Sequence, residues 1–293
     1  MGSYVLTCCS TADLSKQHFE KRDIQYTCFH YQINGKEYTD DPASNDPEAF
    51  YKKMSDGADT STSQVSTGQY TAFFEDILKY GDDILHVTLS GGLSGTYNSA
   101  CIAADELREK YPDRKIYIVD GKGASSGYGL LMDMAADMRD SGMDIDGLKK
   151  WIEENRLNIH HWFFSTDLTY YYRGGRISRG SMIFGSALKI CPVLDMDTEG
   201  KLRPLIKARG KKNAMETIIQ KMKEHAQGGT AYSGKCFISQ SAFRQDAELL
   251  AEMIGNEFPA LKGNIIINDI GTVIGSHTGP GTIALFFKGD MRR

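Results

Sequence analysis

The sequence predicts an α/β protein of two domains, the first built on a mostly parallel sheet flanked by helices and the second on a mixed sheet with helices. Three observations carry this. The 293 residues exceed what one ordinary core organises. Strand-like runs alternate with helical ones through the first half. The rhythm then changes after the polar helical stretch SGMDIDGLKKWIEENRLN, which places the boundary near Leu157 and the domains at 1–157 and 158–293.

The first strand is SYVLTC, and IQYTCFHYQI follows, ending at Asn34–Gly35, a hairpin pair because both residues tolerate the left-handed backbone. DILHVTLS and KIYIVDG are the next two strands. Helices over residues 66–79, 94–110 and 124–140 fill the gaps. In the second domain HHWFFSTD opens a strand, and KICPVLDMD pairs with GKLRPLIKA around a turn. A helix over residues 211–225 comes next, and CFISQS, NIIINDI and TIALFF are further strands. Sheets of the first kind gather ligands at the carboxyl ends of their strands.

Composition removes several classes. A hydrophobic fraction of 41%, a charged fraction of 25% and a net charge of −4 exclude disorder and a nucleic-acid protein relying on a broad basic surface. The start carries no charged leader, and no apolar run is long enough to cross a bilayer. The six cysteines form no repeated CxxC framework, which fits a reduced cytoplasm.

Three near-matches to known motifs fail. GGTAYSGKC has phosphate-loop spacing, but Cys236 stands where a metal-binding hydroxyl is needed and the loop runs into a strand. In VDGKGASSG, Gly121, Gly123 and Gly127 miss the dinucleotide register by one residue. GLSGT ends in Thr96 where a nucleophile elbow needs glycine.

What remains is a set of hydroxyl-rich and glycine-rich loops. TSTSQVS (residues 60–66) and LSGGLSGT (residues 89–96) lie at predicted helix starts, and HTGPGT (residues 277–282) adds an imidazole. Unpaired N–H groups at a helix start, with hydroxyls beside them, hold a carboxylate or phosphate without a buried cation. Taken singly, Ser94 reads as a helix cap and His277 as a turn or core histidine. The stretch YYYRGGRISRG brings Arg173, Arg176 and Arg179 around Gly174–Gly175, and reads equally as a solvated basic loop or as a functional one.

The segments STADL, TSQVS, LSGGLSGTYNSA, IVDGKGASSGYG, LTYYYRGGRIS, PVLDMDTEGKLRPLIKARGKK and HTGPGTIALFF, in this order over nearly the whole chain, resemble the DegV family of bacterial fatty-acid-binding proteins, the lipid-carrying subunits of fatty acid kinase. The resemblance implies one long-chain fatty acid buried between the domains. Its carboxylate would meet Thr62, Ser63, Ser94, Gly95, His277 and Thr278. Arg173 and Arg176 would lie near the pocket mouth and meet an ATP-binding kinase subunit or acyl phosphate, with Arg176 the first choice. The chain would not catalyse alone. It would carry no cofactor and no metal, would make at most transient contact with a membrane surface, and would serve phospholipid metabolism. Two departures stand out: Cys9 where the family carries an acidic residue, and Val65 where it carries proline.

Two other classes compete. A free-standing acyl hydrolase or transferase would use Ser94 as nucleophile and His277 as base, and a sugar or small-phosphate binder would use the same loops around a small polar pocket. Phe73, Phe74, Met182, Phe184, Phe286 and Phe287 could line a lipid tunnel, but apolar residues at such spacing are more often simply core, and the sequence assigns none of them to the tail.

Overall fold

The computed structural model describes residues 4–184 and 190–293. In chain order the first half supplies β1 (Tyr4–Cys9), β2 (Gln25–Thr27), β3 (His30–Ile33), β4 (Lys36–Thr39), β5 (Thr60–Ser63), β6 (Asp83–Thr88) and β7 (Ile116–Asp120). Four of these form a wholly parallel sheet in the order β2-β1-β6-β7, and β4-β3-β5 form a small antiparallel sheet. The chain steps from β1 outward to β2 and later returns to the other side of β1. The crevice at the carboxyl ends of β1 and β6 is therefore the switch point at which open α/β sheets bind ligands.

The second half supplies β8 (Ile159–Ser165), β9 (Ile190–Met196), β10 (Leu202–Arg209), β11 (Cys236–Gln240), β12 (Ile265–Asp269) and β13 (Thr282–Lys288). They form one mixed sheet in the order β10-β9-β8-β13-β11-β12, in which only β11 and β12 run parallel. The predicted fold class is thus the observed one.

Local chemistry explains most element ends. Asn34 and Gly35 turn the β3–β4 hairpin at φ 50° and 78°. Ser66 caps the helix Thr67–Leu78 in a capping box with Gln69. Val65 and Tyr70, one residue before that cap and four inside it, are both fully buried in one cluster, the arrangement of a hydrophobic staple. Packing at Val65 thereby supplies a restraint that needs no proline. The helices Thr96–Lys110, Ser125–Asp140 and Gly210–His225 lie where the sequence places them.

Two segments differ from their sequence reading. Residues Thr60–Ser63 are a strand rather than a helix start, because TSTS pairs with β3. His277 lies not in a loop but in the last turn of a seven-residue helix, Thr272–Thr278. Its Thr, Val, Ile and Gly content gives it little intrinsic helicity, so tertiary packing decides the outcome.

The mixed sheet separates two cores by simple alternation. On β13, Ala284 and Phe286 face the first half, whereas Ile283, Leu285 and Phe287 face the helices behind. β8 repeats the pattern, with Phe163 on one side and Trp162 and Phe164 on the other. The helix Ser125–Asp140, sixteen residues long and nearly all buried at its start, fills the space between the parallel sheet and this face. Among the described residues no helix is long and apolar enough to cross a membrane.

Candidate functional site

Between the two halves lies a cavity of about 470 Å³. Its apolar wall is made by both: Phe29, Leu89 and Ala124 come from the first, and Phe163, Met196 and Phe286 from the second. Of the aromatic and methionine residues considered from sequence, only Phe286 lines it. Phe73 and Phe74 pack around the buried His86, Phe287 faces the opposite side of the sheet, Met182 packs against the main core, and the Phe184 side chain lies outside the described residues.

One end of the cavity is polar, and every head-group residue named from sequence lines it: Thr62, Ser63, Ser94, Gly95, His277 and Thr278. Thr62 projects from β5, Ser94 and Gly95 close the loop after β6, and His277 ends the helix Thr272–Thr278. Gly95 is the N-cap of the following helix, and Ser94 Oγ accepts the Thr96 N–H at 3.2 Å, so the hydroxyl serves the helix start one residue earlier than expected. Thr278 Oγ1 is fully buried and finds no hydrogen-bond partner.

The centre of the polar end is Thr62 Oγ1 against His277 Nε2 at 2.7 Å, a bond joining residues 215 apart in sequence. Arg176 Nη1 stands 3.4 Å from His277 Nδ1. Burial, and secondarily the Arg176 charge, pull the His277 pKa down to about 3, so the ring is neutral at physiological pH. A guanidinium only donates, so Nδ1 accepts and Nε2–H donates to Thr62. The Thr62 hydroxyl then keeps its own proton, free to donate to an acceptor in the cavity.

Arg176 is half-buried and lines the cavity. Its Nε and Nη2 donate to the Leu93 carbonyl at 3.2 and 3.0 Å, and Nη1 donates to the Gly174 carbonyl. These bonds tie the segment after Tyr172 to the Ser94 loop. Gly174 is required by its neighbour: a Cβ there would stand 2.2 Å from His277 Nδ1. Arg173 and Arg179 are exposed.

Sequence reasoning did not assign Gln64, Ser125, His161 or Tyr171 to the wall, although all four line the cavity. Gln64 Nε2 donates to Ser99 Oγ at 2.9 Å, and its Oε1 lies 2.8 Å from where a Cβ on Gly95 would be. Ser125 carried a readable signal, since it follows a glycine-rich loop at a helix start. Its φ of 53° is unusual for serine, and its hydroxyl donates to the buried Asp13 carboxyl at 2.5 Å. Cys9 sits beneath the parallel sheet's end with Sγ 3.2 Å from Tyr70 Oη, and burial raises its thiol pKa to about 11. It takes no part in the cavity wall.

A hydrolytic pairing of Ser94 with His277 finds no support in this geometry. Both ring nitrogens are committed, to Thr62 and to Arg176, and among the described residues no carboxylate contacts the ring. A base needs a free nitrogen aimed at the nucleophile and an orienting acid behind it.

Comparison with known proteins agrees with the architecture. A family model described as "Uncharacterised protein, DegV family" matches residues 7–290. A DegV domain-containing protein of Clostridium perfringens is 41% identical over 293 residues, covering 100% of this chain and 99% of that one. A fatty-acid-binding DegV family protein of Thermus thermophilus superposes with a TM-score of 0.86 at 27% identity, over 99% of this chain and 100% of that one. A DegV lipid-binding protein of Thermotoga maritima gives a TM-score of 0.83 at 28% identity, with the same coverage. With sequence similarity running end to end and the whole architecture shared, the chain belongs to the DegV family.

Proposed function

We propose that this protein binds one long-chain fatty acid in the cavity between its halves and presents the carboxylate to a separate ATP-dependent kinase subunit, which converts it to acyl phosphate. The observation that carries the reading is a largely apolar cavity between the halves on whose wall hydroxyls and a neutral imidazole converge. Each buried methylene contributes about 0.8 kcal/mol, so a long tail supplies on the order of 10 kcal/mol before the costs of binding are subtracted. The head group needs only enough donors to offset the loss of water. The Thr62 and Ser94 hydroxyls and the Gly95 loop supply them without the bidentate clamp that an arginine would impose. A carboxylate held in this way stays open to phosphorylation. The solved relatives described as fatty-acid-binding and lipid-binding point to the same ligand.

The chain itself carries no catalytic group in this reading. The boundary near Leu157 separates the two units that close on the ligand, and Arg173 and Arg176 flank the route by which a partner would reach the head group.

Mass spectrometry of the purified protein tests the ligand directly: a copurified fatty acid at near-unit stoichiometry is expected, and a stoichiometric sugar or small phosphate in its place overturns the reading. Mixing the loaded protein with an ATP-binding kinase subunit then tests presentation through acyl-phosphate formation. Ester hydrolysis by the protein alone would favour the acyl hydrolase instead.

A further inference from the structure

The helix Thr272–Thr278 is short, rich in β-branched residues and capped by Gly271 without any side-chain bond of its own. Something else must hold its start, because seven residues of this composition do not stay helical unaided. We propose that Asp40 is the positioning residue for His277, fixing that helix from the opposite half of the chain and so setting the head-group donor; this rests on the fatty-acid reading above.

Asp40 follows directly on β4 and is almost wholly buried. Its Oδ1 accepts Thr272 Oγ1–H at 2.6 Å and Asn45 Nδ2–H at 2.8 Å, and its Oδ2 accepts Ser10 Oγ–H at 2.7 Å. The Val273 N–H also favours its ionised form. The carboxylate therefore grips the first residue of the helix while being braced from two sides by its own half.

The same three-stranded sheet touches the helix at its other end. β4 pairs with β3, β3 pairs with β5, and β5 carries Thr62, which receives the His277 N–H. His277 lies five residues beyond Thr272, about 7.5 Å along the axis. One sheet thus registers one helix at two points, Asp40 at the start and Thr62 at the finish. Close packing holds the helix axis in place sideways: a Cβ on Gly275 would lie 2.4 Å from Tyr51 Oη, and one on Gly271 would lie 2.6 Å from Asp13 Oδ1. With the axis confined, the grip of Asp40 decides how far along it His277 sits.

The test reads the imidazole before it reads the ligand. In ligand-free protein, ring ¹⁵N signals of His277 should show one fixed tautomer protonated at Nε2, and Asp40→Ala should shift them toward tautomer averaging. Affinity for a fluorescent fatty acid should fall about tenfold in Asp40→Ala, while affinity for the fatty alcohol of equal length changes by less than about twofold. In a His277→Ala background, Asp40→Ala should cost nothing further. Unchanged ring signals, equal losses for acid and alcohol, or fully additive losses would each overturn the proposal. If Asp40→Ala does not fold, Thr272→Val removes a single donor and should give the same pattern at about threefold. A wild-type protein that binds neither acid nor alcohol, with ring signals that still move in Asp40→Ala, would remove the fatty-acid reading and leave the positioning role standing.

Discussion

Replacing Ser94 by alanine deletes a hydroxyl that does two jobs: it accepts the Thr96 N–H and faces the cavity. The helix start loses one hydrogen bond, worth about 1 kcal/mol, whereas on the proposed reading the ligand loses a head-group donor. Fatty-acid retention should therefore fall more than the melting temperature, and an unchanged affinity on titration would remove Ser94 from the site. Arg176→Ala should reduce retention as well as acyl-phosphate formation, since its guanidinium holds the Leu93 carbonyl and stands against His277. Lysine should not rescue it, because a single ammonium cannot reproduce the planar fork. Paired binding and turnover assays on one preparation decide this; full retention with lost turnover would assign Arg176 to the partner alone. His277 also predicts a pH response. Its ring titrates near 3 when folded and near 6.5 when unfolded. Between those values the unfolded chain binds the extra proton, so the contribution of this ring to stability is intact above about pH 6.5 and is lost as the pH falls toward 3, by up to about 1.4 kcal/mol per unit. Asp13 and Asp40, whose carboxyl pKa values burial raises, act with the opposite sign over their own range. Subtracting the unfolding free energy of His277→Asn from that of the wild type isolates the histidine, and a flat difference from pH 7 to 5 would contradict its neutral burial.

At the scale of elements, the close approach of Gly174 to the imidazole gives a test that bypasses the backbone. Gly174 has φ −73°, which alanine adopts freely, yet a methyl there meets His277 at 2.2 Å. Gly174→Ala should keep the fold and push the ring off Thr62, lowering fatty-acid affinity about tenfold or more with little change in melting temperature; retention of wild-type affinity would show that the ring is dispensable. This scale also shows what the sequence could and could not say. Helices with strong caps, such as Thr67–Leu78 behind Ser66 and Gln69, were legible residue by residue. Strands with clean alternation were legible too. The helix Thr272–Thr278 was not, because the groups bonded at its start, Asp40 to Thr272 and Tyr51 to the preceding Ile270, lie more than 200 residues away in sequence. The hydroxyl loops could be singled out as an anion site from composition alone, whereas Gln64, His161 and Tyr171 join the wall only through the tertiary arrangement, which leaves no local pattern to read.

For the whole molecule, the proposed ligand would be part of the core. A fatty acid at a hundredfold excess over its dissociation constant should stabilise the folded chain by about 2.7 kcal/mol, provided the unfolded chain does not bind it. Calorimetry on delipidated and reloaded samples should therefore show a rise of several degrees on loading. No rise with a long-chain acid, alongside a rise with a small anion, would shift the reading to the polar-ligand class.

The bond between Thr62 and His277 links a strand near the beginning of the chain to a helix near its end. Neither half alone supplies both members of that pair. On the proposed reading the site would act as a coincidence detector, complete only while both halves are in place, with the acyl chain across the seam as the bolt. Cargo status would then be written into the firmness of the seam, and the proposed partner, by touching both halves, could distinguish a full carrier from an empty one without ever reaching the lipid.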